Sequence, residues 1–228
     1  MNLRLADNAD IVIPVTITIH EIYRSIQGES TFAGRPCTFV RTTACDLRCR
    51  WCDTEHAFYE GKPMTLDNVL TEVKRLGADL AELTGGEPLL QKETPELCRR
   101  LLAMGTTVLI ETGGHRDIAV LPDGVIRIMD LKCPGSGMAD KNLWSNIEHL
   151  NRRDEVKFVI AGRADFDWAV EQTKLHYLCE RVNAVLFSPV FGECDPAALA
   201  QWVVESGLDI RMQLQMHKHI WAPDARGV

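Results

Sequence analysis

Short apolar runs and amphipathic stretches alternate along most of this 228-residue chain. The runs Cys37–Thr42, Leu80–Leu83, Thr107–Glu111, Val125–Leu131, Val156–Ile160, Ala184–Ser188 and Ile210–Leu214 have the length and composition of buried strands. Between the first two, Leu66, Val69, Leu70, Val73 and Leu76 recur at helical spacing and predict one apolar helix face. Pro95 after Thr94 and Pro196 after Asp195 predict helix starts, each with proline in the first turn behind a capping residue. Trp168 to Leu178 forms another amphipathic segment. Strand, helix, strand in succession implies parallel strands joined by right-handed crossovers, hence an α/β fold. Such sheets, closed into barrels or left open, carry their chemistry on loops beyond the carboxyl ends of the strands.

The polar motifs of the chain fall at those positions. Cys45-Asp-Leu-Arg-Cys49-Arg-Trp51-Cys52 follows the first predicted strand, and Thr84-Gly85-Gly86-Glu87-Pro88 follows the second. Glu111-Thr112-Gly113-Gly114 ends the third, Lys132 follows the fourth, and Ser188-Pro189 closes a later one. Convergence of several polar groups on one rim points to a site more strongly than any single motif.

Composition narrows the class. With 46% hydrophobic and 25% charged residues the chain is an ordinary globular protein, and no repeat or linker divides it, so one domain over 1–228 is expected. A net charge of -7 without a basic cluster gives no reason to expect nucleic-acid binding. No apolar stretch approaches a membrane span, and the start lacks the layout of a signal peptide. The eight cysteines, three of them close together, then fit a reducing cytoplasm better than a disulfide framework. Cys98 and Cys179 are expected as small buried hydrophobes, and Cys37 as a core residue rather than a further ligand.

Three cysteines in eight residues can hold a [4Fe–4S] cubane with one iron left free for a small molecule. The alternative is zinc, with His56 as the fourth ligand. The three-then-two spacing resembles the signature of the radical S-adenosylmethionine superfamily, which implies a partial (β/α) barrel and S-adenosylmethionine chelated at the open iron. By that resemblance Gly86 and Glu87 bind the amino group of the cofactor, although Glu87 could instead fix the turn. Trp51 becomes an adenine wall or a water shield. Glu111 suits a ribose hydroxyl, Lys132 the cofactor carboxylate or ribose, and Ser188 a ribose contact. An ion pair for Lys132 and a cap for Ser188 are the plainer readings.

Ser25-Ile26-Gln27-Gly28-Glu29-Ser30, Phe39-Val40-Arg41, Cys52-Asp53-Thr54, Asp130-Leu131-Lys132-Cys133-Pro134-Gly135-Ser136-Gly137, Gln215-Met216-His217-Lys218 and the stretch from Trp221 to Val228 together resemble the 7-carboxy-7-deazaguanine synthase family. The resemblance covers nearly the whole chain and implies radical ring contraction of 6-carboxy-5,6,7,8-tetrahydropterin with release of ammonia. It makes 1–36 an N-terminal extension and 215–228 a tail that caps the substrate. Ile26, Gln27 and Gly28 would read the pterin edge, Arg41 the substrate carboxylate, and Thr84 would add a hydrogen bond. Thr54 would hold Mg2+ against that carboxylate, and Val228 would close over the pterin, with His217 and Lys218 nearby. An ion pair of Arg41 with Asp46 is the structural alternative. A homodimer and an external one-electron donor such as flavodoxin are further implications. A glycyl-radical activating enzyme shares the cysteine loop and Gly-Gly-Glu-Pro, and is the second enzyme reading.

Overall fold

Six of the seven predicted apolar runs become full strands because both of their faces find cover. The structure, a computed structural model, describes residues 14–77 and 79–228. Its strands are β1 (Thr16–Ile26), β2 (Pro36–Thr42), β3 (Lys62–Thr65), β4 (Leu80–Gly85), β5 (Thr107–Thr112), β6 (Ile126–Asp130), β7 (Glu155–Ile160), β8 (Ala184–Pro189) and β9 (Arg211–Met212). They form one open sheet in the order β3-β1-β2-β4-β5-β6-β7-β8-β9. From β2 to β9 every neighbouring pair is parallel, whereas β1 runs antiparallel to both β2 and β3. The architecture is the expected mostly parallel partial barrel.

The helices are α1 (Leu66–Leu76), α2 (Thr94–Ala103), α3 (Arg163–Leu175), α4 (Leu178–Arg181), α5 (Pro196–Ser206) and α6 (His217–Ile220). One face of the sheet carries Val40, Ala81, Leu83, Val108, Ile110, Val156 and Phe158, which pack with Val69, Leu97, Leu101, Phe166 and Leu199 of the helices into the main core. The other face holds a smaller cluster of Cys37, Phe39, Leu80, Leu109 and Ile128. Side chains alternate along a strand, so the residues following on this inner face are Arg41, Thr84, Glu111 and Asp130. The inner face therefore changes from apolar to polar toward the carboxyl ends of the strands.

Local signals fix the helix ends. The Thr65 hydroxyl accepts from the Asn68 amide at 3.2 Å, and Gly77 closes α1 in the left-handed conformation at φ 69°. Asp195 caps α5 through the Ala197 amide at 3.0 Å. Thr94 departs from expectation: it lies inside α2, behind Glu93, and its hydroxyl donates to the Pro88 carbonyl at 2.6 Å. The segment expected from Trp168 to Leu178 starts earlier, at Arg163, because Phe166 fills the core. It ends at Leu175, two residues before Tyr177 turns left-handed at φ 51°.

Two strands lie where none was predicted. In β1 only Ile17 and Ile19 are buried, so the segment lacks the continuous apolar signature of its parallel neighbours. Residues 16–26 thus belong to the sheet and not to an N-terminal extension, while 1–13 lie outside the described residues. The expected strand Ile210–Leu214 shrinks to Arg211–Met212, the only positions paired with β8. Cys37 and Cys98 are buried as expected, and Cys179 is half-buried at the start of α4. Among the described residues no helix is long and apolar enough to cross a membrane. Truncating the fully buried Leu97 to alanine is expected to cost about 2–5 kcal/mol in urea unfolding, the cost of an unfilled core cavity.

Candidate active site

Between β2 and β3 the chain leaves the sheet as the cysteine loop and is pinned by backbone contacts. Ala44, itself left-handed at φ 79°, accepts from the Glu87 amide at 2.8 Å and donates to the Ala57 carbonyl at 2.9 Å. A Cβ on Gly86 would lie 2.1 Å from the Ala44 oxygen and 2.8 Å from Cys45 Cβ. The glycine pair of the Gly-Gly-Glu-Pro stretch thus lets the end of β4 touch the cysteine loop itself. Arg50 donates its amide to the Ser136 carbonyl at 3.0 Å, which ties the far side of the loop to the turn after β6.

Cys45, Cys49 and Cys52 all line one cavity of about 540 Å³ at the carboxyl end of the sheet. Burial raises each thiol above its usual value, so loading a metal centre displaces protons. Among the described residues, the only three potential ligands within 4.8 Å of one another are His20, Glu21 and His56, so the cysteine sulfurs stand wider apart. A single zinc with 2.3 Å bonds to sulfur would draw tetrahedral thiolates to about 3.8 Å. His56 groups with His20 and Glu21, its ring centroid 5.1 Å from that of His20, and not with the three thiols. The spread of the thiols fits a cubane, which presents its irons at separate corners.

Around the same cavity stand Trp51, Gly86, Glu87, Glu111 and Lys132. The Glu87 carboxylate accepts from the amides of Leu89 (3.0 Å) and Gly113 (2.8 Å) and from the Thr112 hydroxyl (2.9 Å), so it fixes the turn. Lys132 pairs with Asp130 at 2.6 Å; burial pulls its pKa down, but the charges of Asp130 and Cys49 outweigh that and raise it. Ser188 is 1% exposed, lies outside the cavity wall, and its Oγ has no partner among the described residues. The neighbouring wall position is Val190.

The substrate candidates Ile26, Gln27, Gly28, Arg41, Thr84 and Val228, together with Thr54, line this cavity too. Arg41 does not reach Asp46, which pairs with His115 at 2.6 Å and with Arg116. Its Nε donates to Glu21 at 2.8 Å and Nη2 to the Tyr23 hydroxyl at 2.9 Å. Thr54 donates to Asp53 Oδ1 at 2.9 Å. Thr84 Oγ1 donates to Glu111 Oε2 at 3.4 Å.

Two residues at the centre, Lys157 and Glu82, have no role predicted from the sequence. Lys157 reaches from β7 to Glu29 at 3.0 Å and to Glu111. Burial opposes its charge, yet Glu111 and Glu29 outweigh burial and hold it protonated far above the ordinary lysine range. Glu82 accepts from Gln27 Nε2 at 2.8 Å. Lys218 in α6 pairs with Asp53 at 2.6 Å, and Gln215 donates to Glu29 at 3.0 Å. A Cβ on Gly28 would lie 2.8 Å from His217 Nδ1, so this glycine admits the tail to the cavity. The available signal was a lone charge inside an apolar run, Lys157 in Glu-Val-Lys-Phe-Val-Ile and Glu82 in Leu-Ala-Glu-Leu-Thr-Gly.

The sequence model of the Radical SAM superfamily matches residues 39–174. The chain is 48% identical to the 7-carboxy-7-deazaguanine synthase of Koribacter versatilis over 92% of this chain and 99% of that one. This chain belongs to the 7-carboxy-7-deazaguanine synthase family. Identity to the synthase of Chlorobaculum tepidum is 44%, over 93% of this chain and 97% of the relative. Among solved structures, the crystal structure of QueE from Escherichia coli superposes with a TM-score of 0.73 at 21% identity, over 89% of this chain and 95% of that one, and shares the fold. The names of these relatives favour the synthase over a glycyl-radical activating enzyme. Members of this family are radical S-adenosylmethionine enzymes with a [4Fe–4S] cluster, and the donor set of three spread thiols fits that group.

Gly86→Ala is expected to push the cysteine loop off β4. After anaerobic reconstitution it should lose most of its iron relative to wild type, measured per chain, while far-ultraviolet circular dichroism stays unchanged. Full iron loading would show that the loop does not need this contact.

Proposed function

We propose that this enzyme contracts the ring of 6-carboxy-5,6,7,8-tetrahydropterin to give 7-carboxy-7-deazaguanine and ammonia. The observation that carries this reading is one cavity bounded by the three thiols, the polar inner rim and the chain's tail. When bound, the cluster and S-adenosylmethionine supply reversible hydrogen-atom abstraction from the substrate.

The residues of the chain position, neutralise and exclude. Arg41 is held against Glu21 and Tyr23, which leaves Nη1 without a partner among the described residues to meet the substrate carboxylate. Thr54 donates its proton to Asp53, so its oxygen lone pairs remain for Mg2+, an ion that keeps waters and takes few protein ligands when a substrate supplies others. Ile26, Gln27 and Gly28 read the pterin edge, and Thr84 adds a hydrogen bond beside Glu111. Trp51 walls the adenine, while Gly86, Glu111 and Lys132 serve the cofactor; Ser188, behind the wall, needs Val190 to yield before it can. Val228 and the rest of 215–228 close the mouth, held by Lys218 on Asp53 and by the Met216 amide on the Gly28 carbonyl at 3.0 Å. Such positioning keeps a reactive species on its target. The family resemblance also supports a homodimer and an external one-electron donor such as flavodoxin.

Anaerobic incubation of reconstituted enzyme with dithionite, S-adenosylmethionine, Mg2+ and the carboxylated pterin is expected to release one ammonia per deazapurine formed. Absence of both products from cluster-loaded enzyme would overturn the reading. Cys49→Ala should abolish turnover. Thr54→Ala is expected to raise the Mg2+ concentration for half-maximal rate about tenfold, the weight of one lost ligand, with little change in cofactor affinity. An unchanged Mg2+ response would remove Thr54 from the metal site.

A further inference from the structure

Glu82 breaks the depth order of the inner face. It pairs in register with Phe39 on one side and Leu109 on the other, both members of the apolar inner cluster. Its own strand continues upward to Thr84, at the level of the polar rim. The residue is 2% exposed, yet it borders the cavity. An acid in an apolar layer costs stability, and such exceptions concentrate where function needs them.

The neighbours of Glu82 set its state. They are Tyr23 from β1, Gln27 and Glu29 from the loop after it, Cys37 from β2, Glu111 from β5 and Lys157 from β7. Lys157 is engaged by Glu29 and Glu111, and Glu82 has no ion pair of its own among the described residues. Burial, followed by the negative charge of Glu111, pushes the Glu82 carboxyl up to about 8. Among the described residues the one side-chain hydrogen bond to Glu82 comes from Gln27 Nε2, while Gln27 Oε1 accepts from the Glu29 amide at 2.6 Å. One carboxyl oxygen thus fixes Gln27, and the other is left for the cavity.

We propose that Glu82 is a substrate-recognition residue acting as an uncharged carboxylic acid, whose carbonyl oxygen fixes the Gln27 amide and whose hydroxyl donates to a ring nitrogen or ring carbonyl of the bound heterocycle. The inference rests on the pterin reading above and deepens it. A neutral acid selects an acceptor atom and, unlike a carboxylate, does not reward a cationic ring. It also explains the tolerance of the layer for this residue, since no full charge is buried at neutral pH.

Two variants separate recognition from packing. Glu82→Gln keeps a carbonyl for Gln27 and a donor for the cavity, whereas Glu82→Leu fills the same space and keeps neither. Titration of the pterin into cluster-loaded enzyme with S-adenosylmethionine present should give a Kd for Glu82→Gln within about threefold of wild type and for Glu82→Leu at least about tenfold weaker, since an unanswered polar group on the ligand is penalised. Glu82→Leu should melt at or above the wild-type temperature, which a merely structural role would not allow. Wild-type affinity should fall as pH rises through about 8, where the acid loses its proton, and the affinity of Glu82→Gln should not follow it. Wild-type affinity in Glu82→Leu, or equal weakening in both variants, overturns the role of Glu82. Wild-type enzyme that binds no pterin overturns the substrate assignment, and this inference with it.

Discussion

The contact between Gly86 and the Ala44–Cys45 backbone is the constraint on which the site is built. Two segments approach there so closely that no side chain fits between them. The Glu87 amide bonds to the Ala44 carbonyl at the same point, so the end of β4 and the start of the cysteine loop move as one body. A loop carrying three half-buried thiols would otherwise have every freedom that surface loops normally have. Ala44 accepts a left-handed conformation in this arrangement, a local cost met by the packing around it.

The second organising element is electrostatic. The chain carries a net charge of -7, yet four cationic side chains lining the cavity already have anionic neighbours inside the protein. Arg41 holds Glu21, Lys132 holds Asp130, Lys157 holds Glu29 and Glu111, and Lys218 holds Asp53. Each ion pair lets a charged group remain buried, since the alternative is an unpaired charge out of water. An anionic ligand entering this cavity therefore meets donors of fixed direction and exchanges partners with them, which favours geometry over bulk attraction. The Lys218–Asp53 pair does more than balance charge, because it joins the tail to the cysteine loop.

The chemistry of this chain was legible where it interrupts secondary structure. Three cysteines and a glycine pair fall directly after strands, in loops whose composition packing alone does not explain. Parallel strands were legible as continuous apolar runs, since both of their faces are covered. The alternation in β1 was diluted by polar residues on its half-buried positions, so this antiparallel strand gave no comparable signal. Glu82 and Lys157 were hidden for a different reason. Which face of a strand turns toward a barrel interior depends on the curvature of the sheet, a tertiary property that no local window contains. Arg41 shows the same limit, since its partner Glu21 comes from the unpredicted strand.

The margins of the sheet have a consequence of their own. β3 contributes four residues and β9 two, so the outermost strands are the shortest of the nine. Proline stands in β3, at position 63, where it offers no amide proton to a neighbour. Neither β3 nor β9 itself presents a long row of unpaired peptide groups, so strand addition onto these two strands finds little template. A protein whose long apolar strands are aggregation hazards when exposed thus keeps all of them in its interior and leaves blunt borders to solvent.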